Sequence, residues 1–360
     1  MTAGPGRVYA AAQRQRAKLL RGERQAASEL VRAYGEVWRR IKAGLAALLA
    51  ERRRAEAAGE EITEGWLFQY GRLQALQNQV DGEIRVFAEF ADPLITRQQG
   101  AAVDAALEHT EELVRGQAAG GGEPLSVQVR WNRLPREAVQ SVIGFTADGS
   151  PLRELLDALG PAAGRAVRDE LISGVALGAH PTQIARRVKE ALGGNLVRAL
   201  RISRTETLRA YREATHLSYQ ANDQVVDGWV WLSAATARTC AACWALHGTV
   251  HPLSERQVDH PNGRCTQVPH LRGGQPIEIT TGEAQFAEFE PAKQNTILDQ
   301  AASAAYRAGA VRLTDFAGRR HDPDWGPTLG VRSLREIMGK DEAAKWVRRV
   351  GEDRRAERGN

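Results

Sequence analysis

The chain is poor in several things, and each shortage closes a route. It has three cysteines in 360 residues, all between 240 and 265. Three thiols cannot close a disulfide set, and a secreted scaffold would spread more of them along the chain. No apolar run approaches the roughly 18 residues of a membrane span, so an integral helical membrane protein is excluded. The first 20 residues mix basic and small side chains without the apolar core of a secretory signal. A cytoplasmic start follows as the expectation. Excess charge is also scarce: 49 Lys+Arg against 44 Asp+Glu leaves +5, too little for a dedicated DNA-coating protein. Walker and Rossmann glycine patterns are absent, no Ser/His/Asp set stands out, and the His-x-Glu of a zinc deaminase is missing.

What is present is helical periodicity. Leu30, Tyr34, Val37, Ile41, Leu45 and Leu48 recur at steps of three and four, as do Leu73, Leu76, Val80, Ile84 and Phe87 after Thr63. These are two amphipathic helices. Ala57, Ala58 and Gly59 between them allow a turn, so they should pack as an antiparallel hairpin. Residues 1–58 carry thirteen Lys/Arg and five acids. The run Arg52-Arg53-Arg54 reads most simply as a solvated helix end beside the negative dipole terminus.

The glycine-rich stretch after Ala118 marks a boundary. The expected divisions are a helical hairpin over 1–118, a flexible linker over 119–130, a central domain over 131–275 and a helical extension over 276–360. Helices over 162–177 and 181–192, with a stop at Gly193-Gly194, suit an ordinary bundle pair or a DNA-reading helix-turn-helix. A further helix over 195–221 places Arg204 on the apolar stripe of Leu200, Leu208, Tyr211 and Thr215, where a guanidinium needs a partner. Glu206 can pair with Arg209. Asp227 to Leu232 then alternates as a strand, with Trp229 and Trp231 on one face and Val230 and Leu232 on the other. His247-Gly248 offers a hairpin turn between strands at 244–246 and 249–251. Pro291 opens a helix running to Gly309, and Ser333-x-x-Glu336 is a capping box for the last one. The expected fold is α+β and predominantly α-helical: a long N-terminal hairpin, a central bundle with a small antiparallel β Cys/His knuckle, and a helical C-terminal segment.

Cys240-x-x-Cys243 lets two sulfurs face one centre, and His260 and Cys265 follow on a second tight turn that Gly263 permits. Taken as ligands, Cys240, Cys243, His260 and Cys265 form a tetrahedral Cys3His set suited to one structural zinc, with no open position for catalysis. His247 or His251 are alternative completions. A metal-free knuckle with buried thiols and a hydrogen-bonded His260 satisfies the same residues. Asp259-His260 after a cysteine pair also fits a metal-dependent His-Asn-His-like nuclease, which would need further ligands on a following helix.

The ordered combination of Ile202-Ser203-Arg204-Thr205-Glu206, the strand with Trp229 and Trp231, Arg238-Thr239-Cys240-x-x-Cys243, and His260-Pro261-Asn262-Gly263-Arg264-Cys265 resembles the phage head-morphogenesis family. The namesake of that family is the minor head protein F of phage Mu. The resemblance is densest over about 165–270. It implies a non-enzymatic minor capsid protein of a tailed phage or prophage, made in the host cytoplasm and placed inside the virion head at the portal vertex. Its implied partners are the portal protein, the major capsid or scaffold protein and, nonspecifically, DNA, with an oligomeric arrangement on the portal and no membrane contact. Many relatives carry a further cysteine where this chain has Gly263.

Overall fold

The computed structural model describes residues 5–119, 131–146, 149–236, 238–274 and 277–359. The linker expected at 119–130 therefore lies, apart from Ala119, outside the described residues. In chain order the elements are α1 (Pro5–Ala57), α2 (Glu64–Phe68), α3 (Arg72–Ala118), α4 (Leu152–Asp157), α5 (Leu159–Ala176), α6 (Pro181–Gln220), β1 (Val226–Leu232), α7 (Ala241–Leu246), β2 (Val250–Pro252) and β3 (Thr266–Leu271). They continue with α8 (Gly282–Ala287), α9 (Pro291–Ile297), α10 (Gln300–Arg307), β4 (Ala317–Asp322), β5 (Gly326–Val331), α11 (Leu334–Met338) and α12 (Lys340–Gly359). The fold is predominantly α-helical with small antiparallel sheets. Among the described residues no helix is long and apolar enough to cross a membrane.

Two compact units arise, one from 1–20, 102–140 and 208–360, the other from 21–101 and 141–207. In the second unit both apolar stripes read from the sequence are buried along their whole length. Tyr34 of α1 meets Phe87 of α3 edge-on at 5.1 Å, and Glu51 pairs with Arg72 at 2.7 Å. Rising numbers on α1 matched to falling numbers on α3 give an antiparallel hairpin. Its turn uses Gly59 at φ 83, a conformation in which a side chain would clash. Arg52 departs from the solvated reading. It is buried, bonds Glu56 at 2.9 Å and donates to the Ala179 carbonyl at 3.0 Å. It thereby satisfies a backbone acceptor in the turn between α5 and α6.

The stop expected at Gly193-Gly194 is absent, because α6 runs unbroken from Pro181 to Gln220. Two interior glycines weaken a helix by about 1 kcal/mol each. The buried stripe Val188, Leu192, Asn195, Ala199 and Ile202 nevertheless continues across them at helical spacing, and packing outweighs propensity.

In the first unit β1 is the central strand of an antiparallel sheet ordered β2-β1-β3. A register shift falls between Val226 and Gly228. A Cβ at Gly228 would lie 2.6 Å from the His251 carbonyl oxygen, so only glycine fits there. Both faces of β1 are covered. Val230 and Leu232 join Val268 against Val8 and Ala12 of α1 and Leu113 of α3. Trp229 and Trp231 pack instead with Cys243, Cys265, Leu271 and Leu329.

Three local expectations are corrected. Residues 244–246 belong to α7 and not to a strand, although Gly248 does turn the chain at φ 80. The helix expected from Pro291 to Gly309 is broken after Ile297, where Leu298 is extended and the Asp299 side chain caps α10 by accepting from Ala302 N. The hairpin β4–β5 was not foreseen. The capping box at Ser333 and Glu336 is present, both halves bonded.

Candidate metal centre

The knuckle is assembled from one short helix and one loop. Cys240 is the residue before α7, in extended conformation, and its carbonyl accepts from Trp244 N at 2.9 Å. Cys243 lies one turn on and is buried. Just upstream, Thr239 Oγ1 accepts from Thr236 N at 2.9 Å, which fixes the approach to Cys240, while Arg238 is exposed. The second arm runs from Asp259 to Cys265. It turns through Asn262 at φ 72, and Gly263 N donates to the His260 carbonyl at 2.8 Å. Gly263 is required by close approach: an added Cβ would fall 2.1–2.5 Å from the Asp259 carboxylate oxygens.

The two arms converge. Cys243 Sγ lies 3.4 Å from His260 Nε2 and 3.4 Å from Cys265 Sγ. The ligand atoms of Cys240, Cys243 and His260 lie within 4.8 Å of one another, as do those of Cys243, Asp259 and Cys265. The two groups share Cys243, and the four residues read as ligands from the sequence do not form a single group at that spacing. A tetrahedron with bonds of about 2.3 Å has edges of about 3.8 Å, so one ion would have to draw the two groups together about Cys243.

The histidine geometry suits metal binding. His260 Nδ1 lies 2.9 Å from the Pro261 carbonyl oxygen, which can only accept, so the ring hydrogen sits on Nδ1. Nε2 then faces the thiols and would offer its lone pair to a metal once its proton is lost, the arrangement by which a backbone carbonyl orients a ligating imidazole. With three sulfurs and one nitrogen the set would be closed, holding the ion as a structural tie.

Without a metal the electrostatics favour a thiolate–imidazolium pair, whose imidazole proton a metal would have to displace. The Cys240 thiol is pulled down to about 5, chiefly by its hydrogen bond to Cys243 and, against the opposing effect of burial, by His260. His260 is raised to about 10, chiefly by its bond to Cys240. Cys243 goes up, because of its hydrogen bonds with Cys240 and Cys265 and its burial. One thiolate is therefore favoured before any metal arrives.

Of two further residues of this centre, Asp259 entered the sequence reading only through the nuclease alternative, and Arg212 escaped it. Asp259, whose side chain is fully buried, accepts from His260 N at 2.8 Å and from Cys265 N at 3.2 Å. These bonds shape the loop, and the carboxylate also lies within ligand spacing of Cys243 and Cys265. Arg212 of α6 places Nη1 3.5 Å from Asp259 Oδ2 and 3.3 Å from the Cys265 carbonyl. Its position four residues after Leu208, on the apolar stripe, was the available signal.

The remaining motif residues fall elsewhere. Trp229 stacks on His251 at 4.3 Å and donates Nε1–H to the Glu255 carbonyl at 2.9 Å. Arg204, Thr205 and Glu206 lie in the second unit. There Arg204 finds the partner its place on the stripe demanded, Glu23, at 2.8 Å and 2% exposed. Strand β3, not a ligand-bearing helix, follows Cys265, so the nuclease reading gains no support. Of the alternative histidines, His247 Nδ1 accepts from Ser233 N and His251 Nε2 lies 2.8 Å from Thr249 Oγ1. Neither belongs to the cysteine cluster.

One comparison covers the segment that carries these residues. The model of the family described as Phage Mu protein F like protein matches residues 165–268, from within α5 through both cysteine arms into β3. That match bears out the head-morphogenesis resemblance over this segment. No curated protein and no solved structure matches the chain.

Proposed function

We propose that this chain is a non-enzymatic minor head protein of a tailed phage or prophage, acting at the portal during head assembly. The observation that carries the reading is the coincidence of the matched segment with the structural centre. The 165–268 match spans α6 with Arg204 and Arg212 and ends just past the loop that Arg212 holds.

The site supports a structural task. Cys240, Cys243, His260 and Cys265 would hold one zinc ion, and a bound zinc would supply cross-linking without an open coordination position. It would tie α7 and the 259–265 loop to the tryptophan face of β1. The long α1–α3 hairpin offers reach for subunit contacts. Exposed basic residues on α1 and α6 suit acidic protein surfaces or packaged DNA bound without sequence preference. The virion interior near the portal is the location this implies.

Affinity capture of the tagged chain from assembling heads tests the reading. The cognate portal subunit should be recovered with it. Recovery of capsid proteins without portal, or of neither, would refute the portal assignment.

A further inference from the structure

The three thiols of the knuckle are not equivalent. Cys240 is half-buried, whereas Cys243 and Cys265 are each 3% exposed. A small oxidant arriving from solvent therefore meets Cys240 first, since oxidation of a thiol follows its exposure. The sulfurs of Cys240 and Cys243 lie within 4.8 Å of each other, and Cys240 and Cys265 share no group at that spacing. Cys243 is thus the thiol within reach of an oxidised Cys240.

Closing this pair leaves the backbone as it is. Cys240 is the residue before α7, and Cys243 belongs to its first turn. The Cys240 carbonyl accepts from Trp244 N at 2.9 Å. Side-chain rotation that brings the sulfurs to about 2.05 Å does not touch that bond. The consequence reaches further than α7. Cys243 Sγ is the atom at which the two arms meet, 3.4 Å from His260 Nε2 and 3.4 Å from Cys265 Sγ. A disulfide to Cys240 withdraws that sulfur from both contacts, and it consumes two of the four residues read as ligands.

We infer that Cys240 is a site of reversible oxidation by hydrogen peroxide, resolved by Cys243 into a disulfide that unties the two cysteine arms. The Cys240 sulfur takes one oxygen from the peroxide, giving a sulfenic acid and a water. The Cys243 sulfur then attacks the Cys240 sulfur. The S–S bond forms, the S–O bond breaks, and the hydroxyl leaves with the Cys243 proton as a second water. The thiol pair gives up two electrons and the peroxide accepts them. A dithiol reductant reverses the step by thiol–disulfide exchange. The thiol chemistry stands apart from the metal reading, and only the release of zinc rests on it.

The test treats the full chain, as purified, with a small excess of hydrogen peroxide, alkylates the remaining thiols and maps the products by mass spectrometry. Two of the three thiols should disappear, joined as Cys240–Cys243, and dithiothreitol should restore them. Zinc should pass to a colorimetric chelator in step with the loss. The unfolding midpoint should fall on oxidation, because a short ring constrains the unfolded chain little while the tie between the arms is gone. Cys240→Ser should leave Cys243 and Cys265 as thiols at the same dose. Cys243→Ser should trap the sulfenic acid for capture by dimedone, and Cys265→Ser should still form the disulfide. A zinc-free chain that forms the disulfide would uphold this inference and refute the metal reading; a zinc-loaded chain that does not form it would do the reverse. A first product linking Cys243 to Cys265, equal oxidation in Cys240→Ser, or a midpoint that rises would each overturn the inference.

Discussion

The Arg212 guanidinium lies 3.5 Å from the Asp259 carboxylate, with both side chains buried. Helix and loop are 47 residues apart in sequence, so this pair is the long-range tie that sets the second cysteine arm against α6. Breaking a buried pair from one side leaves an uncompensated charge. Arg212→Met should destabilise the chain by about 3–5 kcal/mol in urea unfolding. Asp259→Asn, which keeps the shape of the loop, should cost less, about 1–3 kcal/mol. The double variant should recover part of the Arg212→Met loss. Strict additivity would show that the two groups do not interact.

The loop geometry makes a separate prediction at Gly263. A methyl group there meets the Asp259 carboxylate at 2.1–2.5 Å, and the loop is held by its own hydrogen bonds. Gly263→Ala should destabilise by about 1–3 kcal/mol, the usual range for overpacking. Pairing it with Asp259→Ala should relieve most of the added loss. An unaffected Gly263→Ala midpoint would mean that the loop opens freely.

In the second unit, Arg204→Ala strands Glu23 in a buried position. The expected loss is again about 3–5 kcal/mol. Glu23→Gln with Arg204→Met should be far milder. Thermal unfolding of the single and double variants makes the comparison.

Acid should weaken the chain in a defined window. Burial, followed by a nearby arginine, lowers His216 and His247 to about 4, whereas an unfolded histidine titrates near 6.5. Their folded values are depressed, so their contribution is present above pH 6.5 and is lost as pH falls towards 4. The metal-free knuckle behaves differently. His260 is raised to about 10, giving a contribution complete below 6.5 and lost as pH rises to 10. Cys240 is lowered from 9.0 to about 5, giving a contribution complete above 9 and lost as pH falls to 5. The metal-free chain should therefore be most stable between about pH 6.5 and 9. Urea midpoints across pH 4–10, with His216→Phe as a control for the acid limb, decide the matter.

Legibility in the sequence followed the range of the interaction. The α1 and α3 stripes and the two faces of β1 were readable because periodicity of 3.6 and 2 is local. The thiol pair and His260-to-Cys265 turn were readable because ligand spacing is local as well. Gly193-Gly194 misled because their local cost is overridden by a stripe that packs along the whole of α6. The β4–β5 hairpin was invisible because Arg319, Arg320 and His321 lack any β-forming pattern, and the strands are set by pairing alone. Arg52 and Arg212 act through contacts dozens of residues away, and only the place of Arg212 on an apolar stripe gave a local sign of a partner.

Metal content with X-ray absorption on the purified chain tests the central claim most directly. One equivalent of zinc is expected, with three sulfurs at about 2.3 Å and one nitrogen at about 2.0 Å, lost in Cys243→Ser together with a fall in unfolding midpoint. A chain purified without metal, whose stability responds neither to added zinc nor to a chelator, would contradict it.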